Sequence, residues 1–246
     1  MSKGALLTGT AGGIIGTITM FIGIIWAIVY PLYYMDLFNY GYGMESMSSY
    51  TGWLAIFVTP YPSYIETLFT ILTIMLVMLL IVTAILVGIG FYGTYTIGGG
   101  AMGAAALIMS IIGTTIAGII VFLGSTIFKE TNIAYGHAFP YPWSTVEEFL
   151  ATFYVPISVP GSLMIWLGCI FLGVTFIVLG AGSIVVRHAT SSTSAGMAGG
   201  ILSIIAGSLL ILSYDGIMLF LGVLGFVLLF VAMILWSVFF FSSRYM

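Results

Sequence analysis

The stretch GILSIIAGSLLILSYDGIMLFLGVLGFVLLF, residues 200–230, contains a single charged residue, Asp215. As one helix, the apolar segment around it would be about 70 Å long, more than twice the thickness of a hydrocarbon core. The group Ser-Tyr-Asp-Gly at 213–216 is typical of a tight turn, in which Asp215 caps the next helix and Gly216 is free in its dihedral angles. The stretch therefore predicts two membrane crossings joined by a short turn.

The whole chain has this apolar character. Of its 246 residues, 61% are hydrophobic and 4% are charged, and the mean hydropathy is +1.26. A soluble domain has about 25% charged residues, so this chain could not cover a surface that faces water. The composition predicts an integral membrane protein that forms a single polytopic domain over residues 1–246. Its one cysteine, Cys169, excludes an intramolecular disulfide and a cysteine-rich metal site.

Apolar runs of about 20 residues, the length that crosses a hydrocarbon core about 30 Å thick, occur six times. We predict transmembrane helices at about 9–30, 64–91, 99–127, 160–186, 195–213 and 217–241. The expected fold class is an all-α integral membrane protein. Two long connections remain, at 31–63 and 128–159. Two crossings separate them, so both are expected on the same side of the membrane.

The charged residues give an independent test of this topology, because basic residues favour the cytoplasmic side. With a cytoplasmic N-terminus, six crossings place three of the four basic residues inside and all seven acidic residues outside. The inside group is Lys3, Arg187 and Arg244, with His188 beside Arg187, and the outside group is Lys129, Asp36, Glu45, Glu66, Glu130, Glu147, Glu148 and Asp215. We therefore predict a multi-pass protein of the cell membrane with both termini in the cytoplasm.

A similar sequence motif ends each long connection: PYPSYIETLF at 60–69 and PYPWSTVEEFL at 140–150. In both, a glutamate follows a serine by three residues, which matches the capping box that satisfies backbone N–H groups at a helix start. The pairs are Ser63 with Glu66 and Ser144 with Glu147. A catalytic serine–carboxylate pairing is not supported, since no histidine accompanies both copies. We interpret the motif as a helix-capping element that occurs twice.

Glycines lie four residues apart near the start of each odd-numbered segment, within 10–18, 98–108 and 194–204. The pairs are Gly12 and Gly16, Gly99 and Gly103, and Gly196 and Gly200. Small residues at this spacing let helix backbones approach closely, and packing drives helix association in lipid. We predict three glycine-rich helical hairpins, formed by segments 1 and 2, 3 and 4, and 5 and 6. Their glycine strips are expected to face one another in the core.

The second and fourth segments also resemble each other. VTAILVGIG at 82–90 and VTFIVLGAG at 174–182 share the pattern V-T-x-I-x-x-G-x-G at a spacing of 92 residues. The match favours an internal repeat. Glycine-rich membrane helices also resemble one another by composition alone, so both explanations stay open.

The two long connections are rich in aromatic residues. Residues 30–64 include eight tyrosines and Trp53, and the second connection adds Tyr141 and Trp143. Tyrosine and tryptophan favour the headgroup level, so an interfacial belt is one interpretation. An aromatic, nearly uncharged segment is also typical of a protein contact surface. The second interpretation predicts a partner-binding cap that includes Tyr42, Trp53, Tyr141 and Trp143.

No Asp, Glu, Lys, Arg or His lies near the middle of a predicted crossing. Proton-coupled transporters and voltage sensors need such groups within the membrane. The two histidines, His137 and His188, are expected on opposite sides, so they could not hold one metal ion or haem together. Neither lies at the depth that Ser–His proteolysis in the membrane would need. We expect no enzyme activity, no cofactor, no metal and no nucleic-acid partner.

These observations favour a cofactor-free structural or accessory subunit of a membrane or cell-surface assembly. Its expected partners are membrane lipid and other protein subunits, which dock at the aromatic cap. The alternative is a channel or facilitator for a small neutral solute, which needs no charge at mid-membrane. Its path would be lined by Thr17, Thr19, Thr114, Thr115, Ser203 and Ser208. Hydroxyl residues at such helix contacts also form interhelical hydrogen bonds.

Overall fold

The computed structural model describes residues 2–40, 62–96, 101–135, 160–189, 192–213 and 219–243. They form six long helices: α1 (Ser2–Tyr40), α2 (Pro62–Thr94), α3 (Ala101–Tyr135), α4 (Pro160–Val186), α5 (Thr193–Leu212) and α6 (Leu219–Ser243). One 3₁₀ turn, Arg187–Ala189, follows α4. An apolar chain in lipid is expected to form helices, because a helix satisfies its backbone hydrogen bonds internally.

Each helix contains a part that is long and apolar enough to cross a membrane. These candidate spans are Lys3–Tyr30, Thr67–Thr94, Ala101–Ile127, Leu163–Val186, Thr193–Leu212 and Phe220–Ser242. Their lengths of 20 to 28 residues suit a hydrocarbon core about 30 Å thick. Within the described residues the expected count of six is confirmed, and six such helices indicate a multi-pass membrane protein.

The six helices form a closed ring in chain order. Each helix packs against the next one along the chain, and α6 returns to pack against α1. Neighbours are antiparallel: across the α1–α6 contact, Gly9 lies against Phe240 and Gly23 lies against Phe226. The start of α1 and the end of α6 therefore lie at one end of the bundle, which we call the terminal end. The opposite end, where α1 ends and α2 begins, is the connection end.

The glycine strips do not face one another in this ring. Gly12 lies against Leu86 and Val87 of α2, and Gly200 lies against Gly180 of α4. The expectation that the strips of α1, α3 and α5 meet in the core is wrong. A ring in chain order places an even-numbered helix on each side of every odd-numbered one, so each strip packs on an even-numbered neighbour. The grouping into three hairpins stays a prediction.

Two helices are longer than their apolar runs. The first, α1, continues through Pro31 to Tyr40, and α3 continues past Ile127 to Tyr135. The segments that separate the described helices are therefore 41–61 and 136–159, not 31–63 and 128–159. Apolarity reports how far a segment lies in lipid, whereas a helix continues into polar surroundings if its backbone bonds persist. For the same reason α1 begins at Ser2 rather than near residue 9.

The buried apolar side chains form one core that extends along the spans. It runs from Leu6 near the terminal end to Tyr30 and Phe69 near the connection end. Large apolar side chains also cover the outer faces, such as Ile14 at 56% exposed and Met78 at 63% exposed. Lipid tails are as apolar as these side chains, so their exposure has no cost in a membrane. The ring is therefore apolar both inside and outside.

Candidate functional site

The predicted partner-binding residues lie outside the part of the chain that the structure describes. These are Tyr42, Trp53, Tyr141 and Trp143, and Gly99, Ser144, Glu147 and Asp215 share this position. Ser63 and Glu66 belong to α2, which begins at Pro62, and their side chains also lie outside the described residues. Proline is favourable as a first helical residue because it lacks the N–H that would stay unsatisfied there. The cap and both capping boxes stay predictions.

The other predicted packing glycines all contact neighbouring helices. These contacts join Gly12 to Val87, Gly16 to Met233 and Thr83, Gly103 to Phe91, Gly196 to Phe239, and Gly200 to Gly180. A Cβ atom built at Gly103 would lie 2.8 Å from the carbonyl oxygen of Phe91, and one at Gly200 would lie 2.6 Å from that of Gly180. Real Cβ atoms do not approach a backbone atom so closely. A side chain at either position would force two helix backbones apart.

A second glycine pattern, which the four-residue spacing missed, lines the contact between α4 and α5. A Cβ at Gly173 would lie 2.5 Å from the carbonyl oxygen of Gly207, and one at Gly180 would lie 2.5 Å from that of Gly200. On each helix the two glycines are seven residues apart, in GVTFIVLG at 173–180 and GILSIIAG at 200–207. Seven residues are about two helical turns, so both glycines face the same neighbour. A search at this spacing would have found them.

Buried hydroxyl groups join neighbouring helices. The Thr19 and Thr83 hydroxyls lie 2.9 Å apart across the α1–α2 contact. Ser110 of α3 donates to the carbonyl oxygen of Ala84 at 2.7 Å, and Ser203 of α5 donates to that of Phe176 at 2.8 Å. We call Thr19, Thr83, Ser110 and Ser203 the hydroxyl belt. Each bond satisfies a polar group that lipid could not.

The bonds of the hydroxyl belt lie at a similar depth. On α2, Thr83 and Ala84 are adjacent, so the first two bonds share one level. Between α3 and α4, Gly113, one turn from the belt serine, lies against Thr175, and Thr175 precedes Phe176. The belt therefore passes from α1 to α5 near the middle of the candidate spans.

The six residues of the hypothetical solute path do not share one environment. Each of three half-buried residues lies one turn from an exposed apolar side chain: Thr17 from Phe21, Thr115 from Ile119, and Ser208 from Leu212. Of the buried three, Thr19 and Ser203 belong to the hydroxyl belt, and the third is Thr114. The half-buried hydroxyls of Thr17 and Ser208 donate to carbonyls of their own helices. The six residues therefore do not line one common surface.

Four aromatic side chains pack together near the terminal end, and all are fully buried. We call Phe91 of α2 with Trp236, Phe239 and Phe240 of α6 the terminal aromatic cluster. The Phe91 ring meets Trp236 at a centroid distance of 5.6 Å and Phe240 at 5.3 Å, with interplanar angles of 85° and 87°. These edge-to-face contacts are favourable. The Trp236 indole N–H donates to the Ser183 hydroxyl of α4 at 3.1 Å.

A smaller aromatic group lies near the connection end. Trp26 stacks on Tyr30 at a centroid distance of 5.7 Å and on Phe69 at 5.9 Å. Its indole N–H donates to the Thr73 hydroxyl at 2.9 Å. We call Trp26, Tyr30 and Phe69 the α1–α2 stack, because all three rings belong to these two neighbouring helices.

The two copies of the even-helix pattern make matching contacts. Ala84 and Phe176, which are 92 residues apart, each accept a serine hydroxyl from the following helix. Gly88 and Gly180, at the same spacing, each face the following helix as well. Equivalent positions thus have equivalent surroundings. A common origin of the two copies stays a prediction.

In the described part of the chain, no group of three or more His, Cys, Asp or Glu side chains could hold a metal ion. The chain matches no protein-family model, and no curated protein or solved structure is significantly similar to it. No relative therefore indicates a function for it.

Proposed function

We propose that this protein is an accessory subunit of a membrane or cell-surface assembly and that a partner protein docks at its connection end. The observation that carries the proposal is the length of α1 and α3, which continue beyond the apolar sequence runs at 9–30 and 99–127 to Tyr40 and Tyr135. At 1.5 Å per residue, the extensions are about 15 Å and about 12 Å long. Both extensions lie at the connection end, on the two helices that pack against α2.

The composition of the first extension supports a docking role. The sequence PLYYMDLFNY at 31–40 contains four aromatic residues and one charge, Asp36. A helix that only contacts water is expected to be polar on its exposed face. Aromatic side chains are enriched at the centres of protein interfaces. Of the predicted cap residues, Tyr42 and Trp53 follow this extension in the sequence, and Tyr141 and Trp143 follow the extension of α3.

The interior of the bundle supports a function at the surface rather than in a lumen. Lys3, at the very start of α1, is the one Asp, Glu, Lys, Arg or His in the six candidate spans. The hydroxyls of Thr19, Thr83, Ser110 and Ser203 are engaged between helices. Coupled transport would need groups that bind and release a substrate or a proton.

We also propose that the terminal end faces the cytoplasm. Lys3 lies at the start of α1 and Arg187 at the end of α4, whereas Asp36, Glu66 and Glu130 lie where α1, α2 and α3 reach the connection end. The Arg187 guanidinium donates to the carbonyl oxygen of Ile184 at 2.7 Å, which suits the end of a helix. Basic residues favour the cytoplasmic side, so the connection end and its partner would lie outside.

Co-purification of the full-length protein in mild detergent tests the docking proposal. Trp53→Ala combined with Trp143→Ala should reduce the recovery of the bound partner at least about tenfold, because a few aromatic anchors dominate binding. Phe122→Ala provides the control, since this ring is 43% exposed within the apolar span of α3. The control should keep the partner, and both variants should elute as the wild type does. Equal recovery from all three proteins would contradict the proposal.

The alternative, a facilitator for a small neutral solute, is favoured by one observation. Thr114 is 3% exposed, and its hydroxyl makes no hydrogen bond to another described residue. It would have to contact a solute that passes between the helices. The pure protein in liposomes should then speed solute uptake, and Thr114→Val should slow it. If the pure protein conducts a solute and nothing co-purifies with it, the accessory-subunit proposal is wrong.

A further inference from the structure

A closed ring of six helices encloses an axial space. Because packed helix axes are about 8–10 Å apart, this space is about as wide as one helix. Side chains must fill it, or water and ions would pass along the axis. The side chains that reach across the ring, rather than to the next helix, therefore decide whether the axis is closed.

The terminal aromatic cluster reaches across the ring. Phe91 of α2 contacts Trp236 and Phe240 of α6, although α1 separates α2 from α6 in the ring. Trp236 also binds Ser183 of α4, although α5 separates α4 from α6. By contrast, the bonds of the hydroxyl belt join ring neighbours. Trp236 thus occupies a position on the axis.

Glycines on the surrounding helices make room for these rings. A Cβ atom at Gly199 of α5 would lie 2.8 Å from the Trp236 indole, and one at Gly9 of α1 would lie 3.0 Å from the Phe240 ring. A Cβ at Gly196 would lie 2.7 Å from the Phe239 ring. Any larger residue at these positions would push the rings out of the centre. The glycines and the aromatic rings pack together, and their residues come from α1, α2, α4, α5 and α6.

Ser183 fixes the central ring. Its hydroxyl accepts the Trp236 indole N–H and donates to the carbonyl oxygen of Gly196 at 2.8 Å. Without this acceptor the indole N–H would be buried and unpaired, which is costly in an apolar interior. The relay joins α6, α4 and α5 at the level of the cluster. Rotation of Trp236 away from the axis would break it.

We infer that the terminal aromatic cluster is a hydrophobic seal that closes the axis of the ring to water and ions at the terminal end. Apolar constrictions block ions because water leaves them, and ions do not enter without water. The seal lies between the hydroxyl belt and the water beyond the terminal end. Such a seal keeps the bundle from conducting, whatever partner docks at the opposite end.

Potassium release from liposomes that contain the full-length protein tests the seal. The wild type should release K⁺ no faster than protein-free liposomes. Phe91→Ala combined with Trp236→Ala should raise the rate at least about tenfold, because the truncation leaves a gap on the axis that water can fill. Phe21→Ala combined with Phe171→Ala is the matched control, since these rings are 54% and 43% exposed to lipid. The control should stay as tight as the wild type.

Two results would overturn the seal. The first is fast K⁺ release by the wild type, which needs no variant to fold. The second is a Phe91→Ala, Trp236→Ala protein that has wild-type helix content and elution volume and yet leaks no faster than the control. Neither result depends on a docking partner, so failure of the seal and failure of the docking proposal can be distinguished.

Discussion

The two aromatic groups of this protein use the same chemistry in different ways. In both, an indole N–H donates to a buried hydroxyl, from Trp236 to Ser183 and from Trp26 to Thr73. The terminal aromatic cluster, however, contacts helices that are not neighbours, whereas the α1–α2 stack stays within one contact between neighbours. The terminal aromatic cluster therefore connects helices on opposite sides of the ring, and the α1–α2 stack stabilises the contact between two neighbouring helices.

This difference has a physical consequence for each end of the bundle. Lipid tails are as apolar as these side chains, so exchanging lipid contacts for helix contacts gives little hydrophobic free energy. Close packing is what favours helix association. A position such as Trp236, which contacts three other helices at once, loses contacts on all of them when it is truncated. A position between two helices loses fewer contacts, because the pair can close the gap. The terminal end should therefore be the less tolerant of substitution.

The largest expected effect comes from truncating the two tryptophans. Trp236→Ala should lower the free energy of unfolding by about 5 kcal/mol, at the upper end of the range for buried aromatic residues, because the axial gap cannot collapse. Trp26→Ala should cost less, about 3 kcal/mol, because α1 and α2 can approach each other. Unfolding in mixed detergent micelles, followed by circular dichroism, measures both. A larger loss for Trp26→Ala would reverse the ranking of the two ends.

A smaller effect is expected at the glycines that support the terminal end. Gly180→Leu and Gly200→Leu should each cost about 1–3 kcal/mol, because a side chain there meets a carbonyl oxygen of the facing helix. This contact also holds Ser183 and Gly196 in place beside the cluster. Ala198→Leu is the control, since Ala198 is exposed on α5 and the added Leu side chain extends towards lipid there. If Ala198→Leu costs as much as Gly200→Leu, close helix packing does not explain the glycines.

The parts of the fold that depend on the lipid environment could be predicted from the sequence. Apolar run lengths and the turn at 213–216 predicted six crossings, because a hydrocarbon core sets the length of a span. The order of helices around the ring could not be predicted in this way, since glycine strips show that backbones approach but not which ones. The heptad glycines 173–180 and 200–207 would have indicated the α4–α5 contact. Nothing in the local sequence marks Trp236 as axial, because its partners lie on distant segments.

The helix ends differ in predictability for a related reason. The start of α4 at Pro160 coincides with the start of its apolar run, whereas α1 and α3 extend beyond theirs. Apolarity indicates contact with lipid and does not show how far a helix continues. The partner-binding residues proposed at Trp53 and Trp143 lie outside the described residues. Their role rests on composition, and the co-purification experiment is its test.

Single cysteines at the two ends of the bundle are expected to have the smallest effect on stability. They test which end faces the cytoplasm. Ser48→Cys lies in the segment after α1, and Ser191→Cys lies between α4 and α5 at the terminal end. In a Cys169→Ala background, a thiol reagent that cannot cross membranes should label Ser48→Cys on intact cells. It should label Ser191→Cys only after the cells are opened, because the basic residues Lys3 and Arg187 favour a cytoplasmic terminal end. Labelling of Ser191→Cys alone on intact cells would invert the orientation. The aromatic seal would then face outwards, and a docking partner would have to be sought in the cytoplasm.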